Sequence, residues 1–85
     1  MVRRSRLEII AEILRTALEG SSKTNLVYST NINFKVLDEN LDLLVERGFI
    51  KTIGKRLYTT DSGLEFLRIY DKMRGLIDLE RIRVK

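Results

Sequence analysis

Three cations, Lys51, Lys55 and Arg56, surround a Gly54-Lys55 pair within residues 48–60, a stretch that holds no acidic residue. Cations grouped without acids are phosphate-binding chemistry, because each one neutralises a backbone charge and releases a condensed counterion. Upstream, Thr24, Asn25, Ser29, Thr30, Asn31, Asn33 and Lys35 gather short polar side chains and a cation in residues 20–35, again without an acid. Such hydroxyls and amides donate to phosphate oxygens, and an asparagine that pairs both halves of its amide with adenine reads a base. The same residue types serve as helix caps and turns, so Asn31 and Asn33 have a purely local use as well. Arg3, Arg4 and Arg6 form a basic N-terminal arm, of the kind that lies along a DNA backbone or minor groove, or else a solvated terminus. Lysines on an edge strand also discourage aggregation, which is the local alternative for the Lys51, Lys55 and Arg56 group.

Other chemistries are poorly supplied. The chain has no cysteine and no histidine, which removes disulfides, zinc fingers, thiol nucleophiles and the commonest general base. The carboxylates fall at intervals suited to solvated helix faces. The expectation is a protein that is not an enzyme and needs no metal and no cofactor. A net charge of +4 over 85 residues favours a polyanionic partner. No apolar run approaches the roughly 20 residues of a membrane span, and the N-terminus does not read as a secretion signal, so no membrane association and a cytoplasmic location are expected. A chain this short encloses no effector pocket outside an interface between copies, so no small-molecule ligand is expected.

The elements that must hold these residues are well signposted. Ser5-Arg6-Leu7-Glu8 is a capping box, and Ile9, Ile10, Ile13, Leu14, Ala17 and Leu18 follow at helical spacing to a stop at Gly20. This predicts a first helix over about Ser5 to Glu19. A short second helix, about Lys23 to Ser29, buries Leu26 and Val27 together with Tyr28. Thr30-Asn31-Ile32-Asn33 breaks the period, and a third helix runs from about Phe34 to Arg47 with Phe34, Leu37, Leu41, Leu44 and Val45 inward. Two helices joined by about four residues form a helix-turn-helix. The β-rich runs 49–53 and 56–59 flank Gly54-Lys55, and glycine at the first central position fits a type II′ hairpin turn. A hairpin directly after the third helix is a wing.

Thr60-Asp61-Ser62-Gly63 caps a fourth helix predicted over Asp61 to Arg83, about 35 Å long at ~1.5 Å per residue. A domain of some 60 residues has a radius of gyration of only about 10 Å, so the far end must project. Phe66, Ile69, Tyr70, Met73, Leu76 and Ile77 recur at three- and four-residue steps, the pattern of a two-helix seam. We therefore expect a winged helix-turn-helix domain over residues 1–63 and a dimerisation helix over 64–85, giving a homodimer joined as a coiled coil. The fold class is mainly α with one small β-hairpin, in the order α-α-α-β-β-α. The bland alternative folds this helix back onto its own domain as far as Met73.

Charge is unevenly distributed. Residues 20–35 carry +2 and residues 48–60 carry +3, whereas residues 36–47 carry −3. A third helix lying lengthwise in the major groove would push Asp38, Glu39 and Asp42 towards phosphates. An end-on approach avoids this and presents Asn31, Asn33 and Lys35, with Glu39 at the margin and the helix dipole helping.

The run Arg3-Arg4-Ser5, Glu8-Ile9-Ile10 and Ile13-Leu14 resembles the opening of the archaeal 10a-type winged-helix DNA-binding proteins. Lys23-Thr24, Val27-Tyr28, Thr30-Asn31 and Asn33-Phe34-Lys35-Val36 continue the likeness. Leu43-Leu44, Glu46, Gly48, Ile50, Tyr58, Thr59-Thr60 and Gly63-Leu64 extend it, over about Arg3 to Tyr70. The resemblance implies a winged-helix fold, antiparallel pairing of the last helices, and binding of double-stranded DNA in an archaeal cytoplasm. Two functions stay open on the residues: a dimeric DNA binder, as a transcriptional regulator or nucleoid-associated protein, and a protein-interaction winged helix that does not bind DNA.

Overall fold

A computed structural model describes residues 4–83, with side chains as far as residue 76. The elements run α1 (Arg6–Thr16), α2 (Lys23–Thr30), α3 (Phe34–Glu46), β1 (Ile50–Ile53), β2 (Arg56–Thr59) and α4 (Asp61–Arg83). This is the expected α-α-α-β-β-α order of a winged helix-turn-helix. Among the described residues no helix is long and apolar enough to cross a membrane.

Each helix starts where a side chain satisfies a backbone donor. Glu8 N–H donates to Ser5 Oγ (3.1 Å) while Ser5 N–H donates to the Glu8 carboxylate (2.9 Å), completing the capping box. Ser22 caps α2, and Asn33 Oδ1 caps α3 by accepting from Val36 N–H at 2.8 Å. Thr60 Oγ1 accepts from Gly63 N–H at the head of α4.

Helix α1 is shorter than its apolar period predicts. It ends at Thr16, and residues 17–21 leave the helix to run along β2. Thr59 N–H donates to Ala17 O (3.0 Å), and Ser21 and Leu57 exchange both backbone bonds at 3.0 and 2.8 Å. The hairpin therefore gains a one-residue third strand. Leu18, expected inward, is exposed as a result.

Strands β1 and β2 pair antiparallel with Ile50 opposite Thr59 and Ile53 opposite Arg56. Of the two turn residues only Gly54 has a positive φ (62°), which is the type II′ pattern and demands glycine there. Alternation places Ile50, Thr52, Leu57 and Thr59 on one face and Lys51, Ile53, Arg56 and Tyr58 on the other.

The core is one cluster in which Ile13, Leu14, Leu26, Leu37, Leu44 and Ile50 are fully buried. Each such side chain contributes about 1.5–3 kcal/mol by leaving water. Helix α4 docks on this core through Leu67 and Tyr70, with Phe66 against Phe49 at a centroid distance of 5.5 Å. Its approach is close because residue 63 is glycine: a Cβ there would lie 2.4 Å from Phe49 O and 2.7 Å from Thr59 Cγ2.

Candidate nucleic-acid interface

The wing cations sit on a short hairpin whose inner strand is tied to the loop before α2. The side chains of Lys51 and Lys55 are exposed and make no ion pair or hydrogen bond with any described residue. Arg56 is exposed too, but it donates from Nη2 to Gly20 O at 3.0 Å, which steadies it against the 17–21 segment. Lys35, one residue into α3, is exposed and makes no ion pair with any described residue. Arg47, at the C-cap of α3, shares that property and was not among the expected sites; its place beside the last carbonyls gives it a local role.

Helix α3 begins with Asn33 at its N-cap and follows Asn31, whose φ of 56° and ψ of 47° are left-handed. That conformation turns the chain from α2 to α3 and leaves the Asn31 side chain in solvent. Asn33 is different. Its Oδ1 accepts from Val36 N–H at 2.8 Å, which commits one of that oxygen's two lone pairs and fixes the amide to the helix start.

Along α3 the exposed side is acidic. Glu39, Asp42 and Glu46 face solvent, and Asp38 is paired with Lys23 of α2 at 2.8 Å. Asp38, Asp42 and Glu46 line one side of a groove whose other residues include Leu41, Val45 and Leu57. The negative charge of this flank contrasts with the unpaired cations at the head of the helix and on the wing.

Several expected contacts occupy other places. Thr30 is 1% exposed, and its hydroxyl donates to Leu26 O at 2.6 Å, so it is a core residue that cannot meet a phosphate. Asn25 is exposed but its amide is taken up locally, donating to Ser21 Oγ (2.9 Å) and accepting from Ser29 Oγ (3.4 Å). Thr24 and Ser29 lie at opposite ends of α2; Thr24 is exposed, and Ser29 lines a groove against α1 with Arg4, Glu12 and Arg15. Arg4 and Arg6 are not a loose arm. Arg4 pairs with Glu12 and donates to Asn31 O, and Arg6 donates to Asn40. Arg3 lies outside the described residues.

Tyr28, expected inward, is 79% exposed on α2, making it a candidate contact that periodicity missed. On α2 the inward positions are Leu26 and Thr30, and Tyr28 falls roughly opposite them. Phe34 and Val45, also expected inward, are about half exposed.

On α4 the expected seam divides. Tyr70 is buried in its own chain, stacked near Phe66 (6.3 Å) with the Arg74 guanidinium 5.8 Å from its ring, so it is not free to meet a partner. Phe66 is partly buried against the same core. Ile69, Met73 and Leu76 are exposed at 59%, 43% and 65%, and their i, i+4, i+7 spacing lays them on one stripe. The side chain of Ile77 lies outside the described residues.

Comparison with known proteins agrees with this architecture. The winged helix-turn-helix family model matches residues 3–78. An uncharacterized protein of Methanocaldococcus jannaschii is 34% identical over a stretch covering 68% of this chain and 70% of that protein. The crystal structure of Sso10a-2, a DNA-binding protein from Sulfolobus solfataricus, superposes with a TM-score of 0.73 at 29% identity, covering 95% of this chain and 93% of that one. By the order of its elements, its wing and this family match, the chain belongs to the winged helix-turn-helix family.

Proposed function

We propose that this protein is a dimeric, non-enzymatic binder of double-stranded DNA, acting as a nucleoid-associated protein or transcriptional regulator with weak sequence preference. The observation that carries the reading is the distribution of unpaired charge. Lys35, Lys51 and Lys55 are exposed without acidic partners at the head of α3 and on the wing, while the acids of the helix-turn-helix and wing, residues 20–60, all lie along α3 beyond its first turn. The likeness to a DNA-binding protein of 29% identity supports it.

The contact set is Lys35, Lys51, Lys55 and Arg56, with Asn31, Thr24, Ser29 and Tyr28 as hydrogen-bonding additions. Asn33 serves as a cap, so the contacts go to phosphates more than to base edges; hence weak specificity. The division of labour follows from α4: residues 1–63 bind DNA, and the stripe of Ile69, Met73 and Leu76 pairs with a second copy.

The test is duplex-DNA binding as a function of salt. Electrostatic binding falls along a line of log affinity against log salt, with a slope of roughly 0.9 per phosphate contact. A slope near 3 to 4 for each protomer on the duplex, similar for unrelated sequences, is expected. Absence of binding at low salt would refute the reading and favour a protein-docking role for the acidic side of α3.

A further inference from the structure

Two arginines at the start of the chain reach across to the helix-turn-helix. Arg4, ahead of α1, pairs with Glu12 on α1 and also donates from Nη2 to Asn31 O at 3.1 Å. Asn31 is the left-handed residue on which the chain turns from α2 to α3. Arg6 donates from Nε to Asn40 Oδ1 at 3.0 Å, and Asn40 Nδ2 donates to Val36 O at 2.8 Å. Asn40 is 4% exposed, an amide in a core position of α3.

A buried amide oxygen without a donor is costly, so Arg6 satisfies a group that an apolar neighbour would leave stranded. In doing so it ties α3 to the first turn of α1, since the Asn40 amide that it holds is itself fixed to its own helix by Val36 O. Arg4 does the equivalent at the turn, holding the Asn31 carbonyl while Glu12 offsets its charge. A guanidinium already shared between a carboxylate and a carbonyl has little left to offer a phosphate.

We infer that Arg4 and Arg6 are positioning residues for DNA binding: they brace the turn and α3 against α1 and do not themselves contact the duplex. The inference rests on the DNA-binding reading above. It makes the head of α3, with Lys35, a surface whose placement depends on bonds that span 27 residues, from Arg4 to Asn31, and 34 residues, from Arg6 to Asn40.

The charges give the test opposite signs for the two roles. Glu12→Gln removes a negative charge near the interface; it tightens or leaves binding unchanged if Arg4 touches phosphate, and weakens it if Arg4 is a brace. Arg6→Lys keeps the cation but loses Nε, so it binds normally if charge is what matters and weakly if the bond to Asn40 is.

The experiment titrates the full chain and its Glu12→Gln, Arg4→Gln and Arg6→Lys variants with duplex DNA against salt, at a temperature where circular dichroism shows all folded. Losses of about three- to tenfold with unchanged salt slope are expected for all three. Tighter or unaltered binding by Glu12→Gln, or a slope lowered by roughly 0.9 in Arg4→Gln, overturns the role of Arg4. Normal binding by Arg6→Lys overturns that of Arg6. If the unaltered chain itself binds no DNA, the functional reading fails separately. The brace is then decided by the amide chemical shifts of residues 31–36, which move in Arg4→Gln and Arg6→Lys if it exists and stay fixed if it does not.

Discussion

Arg15 of α1 holds Asp71 of α4 through two parallel hydrogen bonds, 3.0 Å from Nη1 to Oδ2 and 3.2 Å from Nη2 to Oδ1. The pair sits one residue past Tyr70, the last buried side chain of α4 among those described. Beyond it, Arg74 still reaches Glu8 of α1, at 4.0 Å. The hydrogen bonds from Arg15 hold the Asp71 carboxyl below its ordinary value of 3.8; slight desolvation opposes them and the Arg15 charge adds to them.

A depressed carboxylate stabilises the fold above its unfolded pKa, and that contribution is lost as the pH falls through the lower, folded value. Both side chains are about half exposed, which limits the pair to about 0.5 kcal/mol. Asp71→Asn should therefore lower stability by about that amount at pH 7 in denaturant titrations. The gap between variant and parent should close in acid, below the ordinary carboxylate range. A gap that persists at the acid end would assign the loss to something other than this ion pair.

Neutralising the wing tests the placement of the duplex. Lys51→Gln, Lys55→Gln and Arg56→Gln together should lower the salt slope by roughly 0.9 for each phosphate contact removed. Unfolding free energy should change by no more than about 0.5 kcal/mol, since the side chains are exposed. Glu39→Gln with Asp42→Asn should shift affinity the other way. An unaltered slope in the wing triple variant would move the contact away from the hairpin.

Two glycines in α4 predict opposite outcomes. Gly63→Ala forces a Cβ against the backbone oxygen of Phe49, and either the helix or the hairpin must move, at a cost of about 1–3 kcal/mol. Around Gly75 an added Cβ meets nothing within 4 Å, and helix propensity alone makes Gly75→Ala stabilising by up to about 1 kcal/mol. Thermal melts of the two variants should move in opposite directions.

The exposed stripe on α4 is tested by association. Ile69→Glu, Met73→Glu and Leu76→Glu should each convert a dimer to a monomer by light scattering, while leaving the winged domain folded. A truncation after Gly75 should weaken the dimer. A parent chain that scatters as a monomer at all concentrations would refute the pairing.

What was legible in the residues was local chemistry. Ser5 and Glu8, Asn33, Gly54 and Thr60 each impose a cap or a turn on their own neighbours, and the element order follows from them. What was not legible was partnership across the chain. The end of α1 was overestimated because Ala17 and Leu18 keep the helical period, while the backbone there is claimed by Thr59 and Leu57 of β2. Arg4 and Arg6 read as a free arm because Asn31 and Asn40 lie far along the sequence. Thr30 read as a polar surface residue because its acceptor, Leu26 O, is a backbone atom one helical turn away and leaves no mark on composition. Tyr70 fitted a seam by spacing, yet it is the outermost rung of its own domain's core.

The contact between Gly63 and the Phe49 carbonyl has a geometric consequence far from either residue. Helix α4 is 23 residues long, and the roughly 30 Å of it beyond that glycine follow the angle at which its base is seated. A tilt of about 5° at the base displaces the tip by about 3 Å over such a length. In an assembly joined along this helix, the separation and mutual orientation of two wings would thus depend on the base of the helix, through the absence of a single methyl group.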